Sequence, residues 1–173
     1  KYYYTFLFVT LHLFIHAQTN WTGTASKDWN TVSNWSAGIP TNLLDATIPS
    51  GLVNYPELPA GNFTVKNISL LAGSSITLSS AAVLTISGTF NRSGATIINY
   101  GKLILAGNSV QSFPGNTSSI VAMQNLEVNN TLGVIFNKSF SVTGSLTLTA
   151  GNINLDNIFI TLHSDSISTA TIG

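Results

Sequence analysis

The sequence predicts an all-β protein built as a parallel β-helix, or β-solenoid, and three observations carry that expectation. Hydrophobic residues alternate with small polar ones over short stretches, glycines and serines recur between the stretches, and the intervals are too short to hold helices. Composition points the same way. Ser, Thr and Asn supply 60 of the 173 residues, and only 7% of the chain is charged. Such residues compete with the helix backbone for its own hydrogen bonds, which argues against a helical bundle or coiled coil. Disorder goes with low hydrophobicity and high net charge, and here 44% of residues are hydrophobic and the net charge is zero. The six basic residues are scattered singly, so no patch exists to neutralise phosphates and no nucleic-acid partner is expected.

Taken in order, the chain opens on Lys1, Tyr2 to Tyr4 and an apolar run from Phe6 to Ile15, followed by His16, Ala17 and Gln18. A positive charge, a short apolar stretch and a small residue at the cut read as a secretory signal, residues 1–17, cleaved after Ala17. The apolar run falls well short of the roughly 20 residues needed to span a bilayer, so no membrane span is expected. Export normally permits disulfides, yet Cys is absent, so packing and backbone hydrogen bonds must hold the fold. Residues 18–62 contain all three tryptophans (Trp21, Trp29, Trp35) and four of the five prolines. They read as an aromatic-rich capping segment, because the terminal turn of a solenoid exposes its core and needs an atypical cover.

Residues 63–173 carry the repeats. Ile68 and Leu70, Ile76 and Leu78, and Leu84 and Ile86 are apolar pairs, each eight residues after the last. The pattern resumes with Leu103 and Leu105, weakens around Ser109 to Ser119, and returns with Leu126 and Val128. It continues through Val142, Leu146, Leu148, Ile153, Leu155, Ile160 and Leu162. Three strands of about eight residues each give a period of about 24, within the range that marks solenoids. A sandwich or barrel would use longer strands, whereas three- or four-residue strands suit coils stacked about 4.8 Å apart. Four or five turns are expected.

Several stretches are familiar. Trp21-Thr22-Gly23, Asp28-Trp29-Asn30, Asn34-Trp35-Ser36, Gly38-Ile39-Pro40-Thr41 and Asp45-Ala46-Thr47-Ile48-Pro49 resemble the opening of large secreted surface proteins of Bacteroidota. Asn67-Ile68-Ser69-Leu70, Asn125-Leu126-Glu127-Val128-Asn129-Asn130 and Val142-Thr143-Gly144-Ser145-Leu146-Thr147-Leu148 resemble the β-helical, adhesin-like repeats of the same family. The resemblance implies export, a right-handed β-helix and usually a C-terminal sorting domain read by the type IX secretion system. No such domain stands in this sequence, so a longer parent chain is expected. Asp165-Ser166-Ile167 resembles the O-glycosylation acceptor pattern of exported Bacteroidota proteins, which makes Ser166 a candidate.

Chemistry is sparse. The acids are Asp28, Asp45, Glu57, Glu127, Asp156 and Asp165, no two within eight residues of each other. Glu127 and Asp156 are 29 residues apart, near one turn plus a few residues, so a solenoid could stack them on one face, but supporting acid-base groups are missing. His163, two residues from Asp165, is the only His beyond the signal. With no Cys and no His or carboxylate cluster at ligand spacing, no metal, no cofactor and no enzymatic activity are expected. Recognition falls to Trp21, Trp29 and Trp35 with Tyr55, which form either a buried cap or an exposed platform on which sugars stack. The reading is therefore an extracellular or cell-surface adhesin-like segment, a stalk or extended contact surface for glycans or neighbouring cells. The alternative is a carbohydrate-binding module or non-catalytic arm of a polysaccharide-degrading protein.

Overall fold

The computed structural model describes residues 17–113, 120–155, 157–164 and 171–173, with the side chains of 120–122 outside the description. The expected signal segment (save Ala17), Asp156, Asp165 and Ser166 lie outside the described residues. Half of the chain is strand, no α-helix occurs among the described residues, and parallel coils stack into a β-solenoid of about 5 turns.

The strands are β1 (Gln18–Asn20), β2 (Asp45–Ile48), β3 (Glu57–Leu58), β4 (Gly61–Val65), β5 (Ile68–Leu70), β6 (Ser75–Leu78), β7 (Ala82–Ile86) and β8 (Phe90–Arg92). They continue with β9 (Thr96–Leu105), β10 (Gln111–Phe113), β11 (Ile120–Asn129), β12 (Val134–Phe136), β13 (Phe140–Val142), β14 (Ser145–Ala150), β15 (Ile153–Asn154), β16 (Ile160–Leu162) and β17 (Thr171–Ile172). One face stacks β1, β2, β5 and β8, and then β10, β12 and β15. The next stacks β3, β6 and the first halves of β9 and β11, with the β13–β16 pair beside them. The third stacks β4, β7, the second halves of β9 and β11, then β14 and β17.

Parallel coils do begin ahead of residue 63. Strands β1 to β3, and β4 from Gly61 onward, already pair with the ladders, so the Trp-rich segment is threaded into the solenoid rather than set before it. Coil length varies about the expected 24: Gln18 pairs with Asp45, a step of 27, and Gln111 with Val134, a step of 23. Ala46 pairs with Ile68 and Ile68 with Phe90, a step of 22, while Leu84 pairs with Leu103 and Val134 with Ile153, a step of 19. Strands β9 and β11 each turn a corner inside a single ten-residue strand, so no loop is spent there.

Buried amides make that corner possible. The Asn99 side chain accepts a hydrogen bond from the Gly101 N–H (3.0 Å) and donates to the Asn125 carbonyl (3.3 Å). Asn125 donates back to the Gly101 carbonyl (3.0 Å) and accepts from the Ser145 N–H (3.0 Å), so three coils are tied at one edge. Gly101 fits because a Cβ there would run into the Ser79 and Ala82 carbonyls of the neighbouring coil. At another corner Gln111 donates to the Ile86 (3.0 Å) and Gly88 (2.8 Å) carbonyls and accepts from Asn130 (2.9 Å). Each satisfied amide removes the penalty of turning a polar backbone inside a dry core.

The core is a ladder of like residues. Ile68, Leu70, Ile76, Leu78, Leu84 and Ile86 are all buried, as the pairwise alternation predicts. Burial of one such side chain contributes about 1.5–3 kcal/mol. Phe90, Phe113, Phe136 and Phe140 continue the ladder, with successive ring centroids at 5.4, 5.1 and 5.0 Å. Toward β16 and β17 burial thins, and Phe159 and Ile172 are exposed.

Candidate functional site

The capping segment is organised by one asparagine. Asn34 is fully buried at the end of the 3-10 turn Val32–Asn34. Its amide oxygen accepts from the Ala25 N–H (2.9 Å) and the Ser26 N–H (3.0 Å). Its amide nitrogen donates to the Ser26 hydroxyl (3.0 Å) and the Asp28 carbonyl (3.0 Å). All four bonds that a carboxamide can make are made, which fixes the loop that carries the tryptophans.

Those tryptophans face inward. Trp21, Trp29 and Trp35 are 1%, 1% and 5% exposed. Trp35 packs edge-on against both Trp21 (5.0 Å) and Trp29 (4.7 Å), and Trp29 reaches Phe63 of β4 at 6.3 Å. The Trp21 indole N–H donates to the Asn54 carbonyl (2.7 Å) and that of Trp35 to the Trp29 carbonyl (2.9 Å). Tyr55 is half-buried against the same core, and its hydroxyl donates to the Gly73 carbonyl (3.0 Å). The exposed stacking platform expected as one reading of Trp21, Trp29, Trp35 and Tyr55 is therefore corrected. No indole face is open to a sugar ring, because all three indoles are used to cover the first coil. Gly23, at φ +60°, lets the chain pass close over Trp21 and Asn54, where a Cβ would clash.

The acids are dispersed. Glu127 pairs with Lys102 (3.0 Å) across the third face and accepts from the Thr149 hydroxyl (2.9 Å). Partial burial pushes its carboxyl up, but the bonds from Lys102 and Thr149 and the Lys102 charge outweigh burial and hold it below the usual carboxylate range. Its expected stacking partner Asp156 lies outside the described residues, as does Asp165 beside the exposed His163. Glu57 pairs with Lys27 at 3.3 Å, exposed on both sides. Among the described residues no group of three or more His, Asp or Glu could hold a metal ion, and no helix is long and apolar enough to cross a membrane.

One concavity was not foreseen. A groove of about 430 Å³ lies where the cap loop Ile39–Asn42 runs beside β4. Trp29 and Phe63 lie buried beneath it; Asn30, Asn42, Asn62 and Thr64 are exposed at its lining. No sequence signal marks these four, because amides and hydroxyls are everywhere in this chain. The fold and this site define an all-β parallel β-solenoid with a tryptophan-filled first coil. Comparison with known protein families, with curated proteins and with solved structures returns no match.

Proposed function

We propose that this chain is an exported, cell-surface or secreted segment of adhesin-like type, serving as a stalk or extended contact surface. The observation that carries the reading is an uncharged outer row on the first face. Asn20, Thr47, Ser69 and Asn91 stand in register on four successive strands, β1, β2, β5 and β8. Gln18 donates to the Thr47 hydroxyl (2.7 Å) and Asn91 to that of Ser69 (3.4 Å), so the row is held in place rather than loose. A regular strip of hydroxyls and amides offers many weak hydrogen bonds along a rigid face, which suits multipoint contact more than turnover of a small substrate. The reading assigns the chain no catalytic role, and the sugar-platform alternative loses the tryptophans it relied on. Export and a Bacteroidota source belong to this proposal on the strength of the sequence resemblance.

The test is adhesion. Beads coated with the full chain should be retained on cell layers and polysaccharide films, with retention unchanged between low and high salt because no charged strip exists to be screened. Retention equal to that of beads coated with an inert protein overturns the proposal. Fusion of residues 1–17 to an export reporter tests the signal separately.

A further inference from the structure

The groove beside β4 is built as a binding site. Its walls are pinned. Thr41 and Leu44 exchange backbone hydrogen bonds (3.4 and 3.3 Å), the Lys66 N–H donates to the Thr41 carbonyl (3.2 Å), and the Thr41 hydroxyl accepts from the Leu43 N–H (3.2 Å). On the opposite side the Trp29 N–H donates to the Glu57 carbonyl (3.1 Å), and the Asn30 N–H donates to the Asp28 carboxylate (3.0 Å). The backbone around the opening is thus set before any ligand arrives, which lowers the ordering cost of binding.

The side chains at the opening are left over from this bracing. The carboxamides of Asn30, Asn42 and Asn62 and the hydroxyl of Thr64 are solvent-exposed and enter none of the hydrogen bonds that brace the walls. No charged residue lines the groove. Its volume of about 430 Å³ lies within the range of small-molecule sites, roughly 300–1,000 Å³. Beneath it Trp29, Phe63 and Pro40 are buried, and the half-buried Ile39 supplies apolar surface at one side.

We infer that this groove binds an uncharged oligosaccharide segment. Carboxamides both donate and accept, as sugar hydroxyls do, and the half-buried Ile39 side chain can meet the C–H face of a sugar ring. A uronate, phosphate or nucleic acid would find no cation at the lining to offset the loss of its water. A wholly apolar ligand would strip water from three amides and return nothing to them. The inference rests on the contact-surface reading and deepens it, naming the class of ligand and placing it away from the buried indole faces.

The experiment titrates the full chain with neutral hexasaccharides (malto-, cello-, manno- and xylohexaose) and with hexagalacturonate, by calorimetry and by tryptophan emission, which Trp29, buried beneath the groove, should report. The expected result is binding of at least one neutral hexasaccharide in preference to hexagalacturonate. The double variant Asn42→Ala/Asn62→Ala should bind about tenfold more weakly, with an unchanged unfolding midpoint. Thr64→Arg, which fills the opening with an exposed side chain, should also abolish binding, and Asn91→Ala on the first face should leave it intact. Absence of binding to every neutral hexasaccharide overturns the inference. So does binding that survives both groove variants, or tighter binding of hexagalacturonate. If chain-coated beads still adhere while sugar binding is absent, the groove assignment alone fails; if they do not adhere at all, the contact reading fails with it.

Discussion

The capping segment and the coils solve one problem by different means. In the coils each buried residue rests on a like residue one turn away, as Ile68 does on Phe90 and Leu84 on Leu103, so stabilisation is spread over nearest-neighbour contacts. In the part of the cap that carries the tryptophans, residues 21–35, there is no repeat to copy. Three indoles meet edge to face around Trp35, and one carboxamide, that of Asn34, closes the loop with four bonds. A ladder tolerates local damage because its neighbours share the load, whereas the cap depends on single residues.

That contrast can be broken most forcefully at Trp35. Its replacement by Ala should cost about 3–5 kcal/mol, since two ring contacts and a large buried volume vanish together, and urea unfolding should show the loss. Next in size is Asn34→Ala. It leaves the Ala25 and Ser26 N–H groups without their partner, and about 2–3 kcal/mol is expected, with early loss of tryptophan signal. In the coils, Phe113→Leu keeps an apolar filler and removes the ring contacts to Phe90, Phe136 and Phe140. The expected loss is only about 1–1.5 kcal/mol, read as a small shift in thermal midpoint. If Phe113→Leu proves as costly as Trp35→Ala, the coils are not the tolerant half.

The smallest effect concerns Glu127. Its folded carboxyl titrates below the ordinary value, so the stabilisation is complete above the unfolded value of about 4.3 and is lost as pH falls through the lower folded value. Because Lys102 is partly open to solvent, the contribution stays below about 1 kcal/mol. Glu127→Gln should flatten this acidic slope in urea midpoints measured against pH; an unchanged slope would mean that other carboxylates set it.

Period-two alternation made the coils legible, because an inward side chain must be apolar and its neighbour must not. All six residues of the three leading pairs are buried on strands, and Leu126 and Val128 follow suit. The same rule misleads where a coil loses its cover. Leu148 and Leu155 fit the pattern and are nonetheless 43% and 37% exposed. It is blind to polar residues that enter the core, such as Asn99, Gln111 and Asn130, which serve corners rather than faces. Strand β10 was hidden for that reason, since Gln111 precedes the core residue Phe113. The groove was hidden by composition. Asn30, Asn42 and Asn62 come from three separate segments, and in a chain rich in Asn nothing distinguishes them until the fold brings them together.

The stacking of short parallel coils also has a mechanical meaning. Each coil adds about 4.8 Å to the axis and stores a chain of about 22 residues, which is roughly 75 Å when drawn out. Tension applied along the axis loads the inter-coil hydrogen bonds end-on, one rung at a time, so the terminal coil peels before the next is stressed. A rod of this design yields under load by lengthening in discrete steps of that size, dissipating work at each release while the remaining coils hold.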